Sequence, residues 1–129
     1  MSDNKESNSI IGKKFYAFAL EIIIIYKTLT TDKKEFILSK QLLRCSSFIG
    51  VNIQEVLSGE PKKDFIHKIS IALKESKETA YWLSLLKDSH YISSQQFENS
   101  NTICKELIKI LSSIILTMKE KYFPTTLNS

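Results

Sequence analysis

The sequence contains few of the residues that end helices and form tight turns. Its 129 residues include 3 glycines and 2 prolines, where average usage would supply about 9 and about 6. Sandwiches, barrels and glycine-loop nucleotide folds depend on such residues, so all three are disfavoured. Apolar residues make up 43% of the chain, and its net charge is only +4. We therefore expect one domain with a buried core.

Cysteines and long apolar runs are also scarce. Cys45 and Cys104 match no metal-binding spacing, so they are expected to be reduced and buried. The polar N-terminus, residues 1–9, does not resemble a signal peptide. The most apolar stretch, residues 15–26, contains Glu21 and is shorter than the roughly 20 residues that a membrane span needs. We expect a soluble, cytoplasmic protein that does not bind membranes.

Two pairs of residues have the spacing of a capping box, the side-chain arrangement that starts a helix. They are Asp32 with Glu35 and Ser93 with Gln96. Each pair precedes a run of apolar residues at helical spacing. A helix is therefore expected to begin after the first residue of each pair.

The other turn signals lie at Gly59, Pro61 and Pro124. Glycine suits the left-handed position after a helix, and proline suits the first turn of the next one. Pro124 is expected to end the last helix. Four helices are predicted, at residues 13–30, 33–58, 62–88 and 94–122. They form one domain at 13–123, between a flexible polar segment at 1–12 and a tail at 124–129.

Apolar residues recur at alternating steps of three and four in all four segments, which is the spacing of a helix with one buried face. In the third segment the middle of this row consists of small residues, Ala72, Ser76 and Thr79, which would let a neighbouring helix approach closely. Four long helices joined by short loops predict an all-α fold, an antiparallel up-and-down four-helix bundle.

The apolar surface is wider than one bundle needs. Residues 22–25 are four consecutive isoleucines, and at about 100° per residue they cover most of the helix circumference, so some must face outward. An exposed apolar surface usually marks an association site. We expect a homo-oligomer, with an interface drawn from Ile22, Ile23, Ile24, Ile108 and Ile115. The alternative is that the helices of one chain bury these residues.

Positive charge is spread evenly along the sequence, with no basic tail or charge block. A nucleic-acid surface would therefore have to be assembled by folding, or by repetition of a modest patch around an oligomer. The residues that could contribute are Lys40, Arg44, Lys62, Lys63 and Lys68. The alternative is an ordinary, solvated lysine-rich surface.

Arg44 is the only arginine among 18 basic residues, which indicates a need for planar, forked hydrogen bonding. Glu55 lies about three helical turns later on nearly the same face, with Asn52 on the turn between. We interpret these residues as a structural polar network that fixes helix register, with Glu75 or Glu78 of the third helix as partners. Contact between Arg44 and a ligand is the alternative.

No catalytic constellation can be assembled from the sequence. His67 and His90 are the only imidazoles. The single Asp64-x-x-His67 motif falls short of the two Glu-x-x-His motifs of a di-iron bundle, and nothing supplies an orienting residue or oxyanion loop for a Cys–His pair. We therefore expect no enzyme activity, no metal and no cofactor. A metal-dependent bundle enzyme is the most distant alternative.

The second predicted helix resembles a family signature. Residues 41–55 read QLLRCSSFIGVNIQE, which is similar to the signature QLRRAAxSIxxNIAEG of the bacterial four helix bundle protein family, also called the 23S rRNA-intervening-sequence protein family. The resemblance covers residues 13–122. It continues through KDFI at 63–66, IALKESKET at 71–79, YWL at 81–83 and YI at 91–92.

This resemblance implies an up-and-down bundle that assembles into a homopentameric ring. Some family members are encoded within intervening sequences of large-subunit ribosomal RNA genes. The family is similar to the accessory variability protein of diversity-generating retroelements, which binds a reverse transcriptase and nucleic acid through a basic ring. The positions that match the signature, in mainly structural roles, are Arg44, Asn52, Glu55, Lys63 and Glu75.

The chain departs from the family pattern at several positions. Cys45, Gly50 and Gln54 replace the usual alanines, and the Gly-Arg-x-Ser linker is reduced to residues 59–61, which removes a positive charge. The function implied is that of a non-enzymatic oligomer that binds RNA, DNA or a nucleic-acid-processing protein of the reverse-transcriptase type. A protein adaptor ring that does not bind nucleic acid is the alternative.

Overall fold

The fold consists of four long helices. The computed structural model describes residues 2–59 and 61–122, with the side chains of residues 10–59, 61 and 64–122. Over these residues it contains no strand. The helices are α1 (Ser2–Lys27), α2 (Leu38–Leu57), α3 (Lys62–Asp88) and α4 (Ser94–Tyr122), and a π-helical turn, Thr28–Asp32, follows α1. The predicted stop at Pro124 and the tail at 124–129 lie outside the described residues.

The first helix begins earlier than predicted. The sequence pattern placed its start at residue 13, after a flexible segment at 1–12, whereas α1 begins at Ser2. Gly12 and the polar residues before it favoured the later start. Gly12 instead lies inside α1, because one glycine within a helix costs only about 1 kcal/mol and does not end it.

The start of α2 also differs from the prediction. Asp32 belongs to the π-helical turn, and α2 begins at Leu38 instead of residue 33. The Glu35 carboxylate accepts hydrogen bonds from the backbone N–H groups of Ile37, Leu38 and Ser39, at 3.1, 3.0 and 2.8 Å. Backbone N–H groups in the first turn of a helix have no carbonyl partner within that helix. Glu35 therefore caps α2 by itself, and Asp32 takes no part.

Two of the other turn signals, at Ser93 with Gln96 and at Gly59, are confirmed. Ser93 and Gln96 form a reciprocal capping box, because the Ser93 N–H donates to Gln96 Oε1 and the Gln96 N–H donates to Ser93 Oγ, both at 3.1 Å. Gly59 has a φ of +94°, the left-handed conformation that lets α2 end and the chain reverse into α3.

The helices form an antiparallel bundle in which consecutive helices are neighbours. The main contacts join α1 to α2, α2 to α3, α3 to α4 and α4 to α1, so α1 and α3 occupy opposite corners. The core contains large apolar side chains that recur at helical spacing, including Phe18, Ile25, Leu42, Leu83 and Leu107. The predicted fold class is confirmed.

Candidate functional site

Arg44 lies in a cluster of polar side chains that joins α2 to α3. Its Nη2 atom is 2.6 Å from Glu78 Oε2 and its Nη1 atom is 4.0 Å from Glu75 Oε1, while its Nε–H donates to Gln41 Oε1 at 3.2 Å. The Trp82 indole N–H donates to the same Glu78 oxygen, also at 3.2 Å. The guanidinium is therefore engaged within the chain, which supports a structural role.

The other polar residues predicted for this network have different partners. Glu55 forms an ion pair with Lys68 of α3. This pair lies about three helical turns from Arg44 along α2. The Asn52 side-chain amide donates to the Phe48 carbonyl of its own helix at 2.7 Å. The single network expected from the sequence is thus divided into an Arg44 cluster and a separate Lys68–Glu55 pair.

The five basic residues predicted to bind nucleic acid do not all remain available. Arg44 and Lys68 are paired with carboxylates of the same chain. Lys40 is exposed one turn before Arg44 on α2. The side chains of Lys62 and Lys63 lie outside the described residues. The predicted patch therefore offers fewer unpaired positive charges than its five basic residues suggest.

A second basic surface, which sequence reasoning missed, lies between α3 and α4. We call it the α3–α4 groove. It has a volume of about 420 Å³ and is lined by Ser70, Leu73, Lys74, Lys77, Ile115 and Lys119. Its lysines come from segments about 40 residues apart, so only the pairing of the two helices brings them together. The one sequence signal was the spacing of Lys74 and Lys77 on one helical face.

The outer surface of α1 carries apolar side chains that no part of the described bundle covers. Tyr16, Leu20, Ile23 and Ile24 are exposed, and the two isoleucines are 42% and 53% accessible. We call these four residues the α1 apolar surface. A shallow groove of about 100 Å³, lined mainly by apolar residues of α1 and α2, runs beside it. A monomer in water gains nothing from exposing such a surface.

The predicted interface residues fall into three groups. Ile23 and Ile24 are exposed, as the isoleucine run required. Ile22 is only 1% accessible and lies in the core of its own bundle, so it cannot contact a second subunit while the bundle stays folded. Ile108 and Ile115 are half-buried and pack against the same core, since α3 covers much of that side of α4.

Comparison with known proteins supports the fold and the family. The family model of the 23S rRNA-intervening sequence protein matches residues 7–113, which is most of the chain. The chain belongs to this family. A crystal structure of a protein of unknown function from the S23 ribosomal protein family of Bacteroides thetaiotaomicron VPI-5482 is 43% identical, with a TM-score of 0.80 over 84% of this chain and 97% of that chain. No curated protein matches the sequence.

The glycine at position 50 of α2 has a clear structural reason. A Cβ atom placed at Gly50 would lie 2.3 Å from Cζ of Phe15. Two carbon atoms normally approach no closer than about 3.5 Å. The Phe15 ring of α1 thus occupies the space that an alanine methyl group would fill.

The two cysteines are buried thiols at the junction of α2, α3 and α4. The Thr79 hydroxyl donates to Cys45 Sγ at 3.1 Å, and the Cys104 thiol donates to the Ser76 carbonyl at 3.4 Å. Burial raises the pKa of Cys45, and it raises the pKa of Cys104 to about 12. Both thiols therefore stay protonated near neutral pH and are poor nucleophiles and poor metal ligands.

The remaining features offer little chemistry for catalysis. His67 and His90 are exposed. Across the part of the chain that the structure describes, no three His, Cys, Asp or Glu side chains come together to hold a metal ion. No helix in those ranges is long and apolar enough to cross a membrane. A cleft of about 560 Å³ at the end of the bundle, beside His90 and Lys33, includes the Asp88 carboxylate in its lining.

Proposed function

We propose that the chain is a non-enzymatic, cytoplasmic subunit of a homo-oligomer that binds nucleic acid. The observation that carries the proposal is the α1 apolar surface, which the described part of the bundle leaves uncovered. Most soluble oligomers are closed and symmetric, with copies of one chain covering each other's apolar patches. A ring of five subunits is the form that the family resemblance implies.

Two further observations support nucleic acid as the ligand. The family is described by its link to 23S rRNA, and the solved relative is assigned to a ribosomal protein family. The α3–α4 groove also presents three lysines on the side of the bundle away from α1. Self-association through α1 leaves this basic side accessible.

The oligomer is tested by adding charge to the α1 apolar surface. The variant Leu20→Glu/Ile24→Glu places two carboxylates on exposed positions one turn apart, and it is expected to reduce the mass in light scattering to that of one chain. The control is Gln95→Glu/Asn99→Glu, with the same spacing and charge on the exposed first turns of α4. An unchanged mass for the α1 variant would contradict the proposed assembly.

A protein adaptor is the second candidate function, and one observation favours it. Phe36 and Ile37, just before α2, are 59% and 75% accessible, and the Glu35 cap fixes the backbone that carries them. Two adjacent apolar side chains in a fixed loop suit a protein partner, including a nucleic-acid-processing enzyme such as a reverse transcriptase. Absence of RNA and DNA binding at both low and high salt would favour this function.

A further inference from the structure

Charges that alternate along α3 are sorted onto two sides of the helix. Residues 74–78 read KESKE, so the local net charge is zero. Glu75 and Glu78 face α2, where Arg44 donates to Glu78 at 2.6 Å and lies 4.0 Å from Glu75, whereas Lys74 and Lys77 line the α3–α4 groove. The Arg44 cluster thereby withdraws two carboxylates from the lysines beside them in sequence.

The α3–α4 groove is cationic at its edges and apolar at its base. Lys74, Lys77 and Lys119 supply positive charge, and Leu73 and Ile115 supply apolar surface. Among the residues whose side chains are described, no acidic residue lines the groove. Within the described residues, no carboxylate lies at ion-pair distance from these three ammonium groups. The groove is therefore complementary to an anionic chain that also has apolar faces.

An exposed aromatic ring continues the same face of α3. Tyr81 lies one turn after Lys77 and two turns after Lys74, so the three side chains are neighbours on the helix surface. The Tyr81 side chain is 61% accessible. Its ring meets the Trp82 ring edge to face, with 5.3 Å between centroids, which restrains the tyrosine without covering it.

We propose that the α3–α4 groove binds a single-stranded polynucleotide, with Lys74, Lys77 and Lys119 contacting phosphates and Tyr81 stacking on a base. This inference rests on the proposed function, because it takes nucleic acid as the ligand. A basic groove that follows the backbone, next to an aromatic ring that stacks on unpaired bases, is the usual design for single strands. Lysine binds phosphate as a compact point charge.

The same features argue against two other anionic partners. An acidic peptide would pair with the lysines but has no general use for an exposed aromatic ring. A duplex keeps its bases stacked and paired inside, so it would contact the lysines but could not place a base on Tyr81. Single-stranded RNA or DNA uses all of these features.

The inference is tested by fluorescence anisotropy with a labelled oligouridine of about 12 nucleotides, titrated at several salt concentrations. The groove variant is Lys74→Gln/Lys77→Gln/Lys119→Gln. The control is Lys33→Gln/Lys34→Gln/Lys109→Gln, which removes the same charge from exposed lysines outside the groove. Light scattering verifies that both variants keep the wild-type mass.

The groove variant is expected to lose at least tenfold in affinity at low salt. The slope of log affinity against log salt should also fall by about 2, which is three phosphate contacts at about 0.7 each for a single strand. The control is expected to keep most of its affinity and nearly all of its slope. Tyr81→Ala should weaken binding about fivefold or more with the slope unchanged, whereas Tyr81→Phe should bind like wild type.

Three results would overturn the inference, and they can be told apart. Equal losses in the groove and control variants would leave the proposed function standing but place the contact elsewhere. Groove-dependent binding of polyglutamate as tight as that of oligouridine would identify an acidic-peptide site. Failure of the wild-type protein to bind RNA or DNA at any salt concentration would overturn the proposed function together with the groove.

Discussion

Among single residues, Gly50 shows most directly how one position depends on another. The absence of a side chain at Gly50 admits the Phe15 ring, whose end would lie within 2.3 Å of an added Cβ atom. Position 50 on α2 and position 15 on α1 are thus fitted to each other. An alanine there would require a different or displaced side chain at position 15.

We predict that Gly50→Ala destabilises the protein by about 1 kcal/mol. Overpacking costs about 1–3 kcal/mol, and the better helix propensity of alanine offsets about 1 kcal/mol of that cost. In a Phe15→Leu background the same substitution should be neutral or stabilising, because the ring is gone. Urea unfolding of the four proteins measures both effects. An equal cost in the two backgrounds would show that the ring is not responsible.

Arg44 shows which partners of a polar residue can be predicted from the sequence and which cannot. The rarity of arginine in this chain singled it out, and Glu75 and Glu78, both named from the sequence, lie beside it. Glu55 shares its helical face but is paired with Lys68 instead. Helical periodicity fixes the face on which a residue lies. It does not fix the axial register of the neighbouring helix, which decides the partner.

At the scale of one element, the start of α2 depends on a single carboxylate. Burial alone would raise the pKa of Glu35, but the backbone N–H groups of Leu38, Ser39 and Ile37 that donate to the carboxylate bring the pKa below its ordinary value of 4.5. The ionised form is therefore favoured by the folded state. Its contribution to stability is present above the ordinary pKa and is lost as the pH falls through the lowered one.

We predict that Glu35→Ala costs roughly 1 kcal/mol of unfolding free energy at neutral pH, as loss of a helix cap usually does. The cost should shrink toward zero at an acidic pH below the lowered pKa, where the wild-type carboxylate is itself protonated. Glu98→Ala, which removes an exposed carboxylate from α4, serves as the control. A Glu35→Ala cost that is the same at both pH values would contradict the capping role.

The π-helical turn after α1 is an element that the pattern did not reveal. The Thr28 hydroxyl donates to the Ile24 carbonyl at 3.1 Å, and the Thr30 hydroxyl donates to the Tyr26 carbonyl at 2.9 Å. Such bonds divert carbonyls from the regular helical ladder. Threonine and aspartate at residues 30–32 indicated an interruption, but this composition does not distinguish a turn from a wider helical coil.

For the whole molecule, the fold could be predicted because every helix repeats its apolar spacing over several turns. The α3–α4 groove could not, since Lys74 and Lys119 are neighbours only after α3 and α4 pair. The even distribution of charge along the sequence concealed the separation of charge across α3. Ile22 was misassigned for a related reason: four consecutive isoleucines require some outward side chains but do not say which.

We predict that assembly strengthens RNA binding, because several grooves in one particle can hold one strand. The dissociated Leu20→Glu/Ile24→Glu variant should bind a long oligouridine at least tenfold more weakly than wild type, through loss of this multivalency. Its affinity for a strand short enough to fill one groove should change little. Anisotropy with the two lengths, beside light scattering, measures the difference. Equal affinity for the long strand would show that each subunit binds alone.

The buried thiols can report how often the helices of the bundle separate. Cys45 belongs to α2 and Cys104 to α4, and neither side chain is accessible in the folded chain. An alkylating reagent can therefore reach each sulfur only when the helices packed around it separate. The order in which the two residues are alkylated reports whether the packing around Cys45 or that around Cys104 opens first, and the rates report how often, in the wild-type protein and without any attached probe.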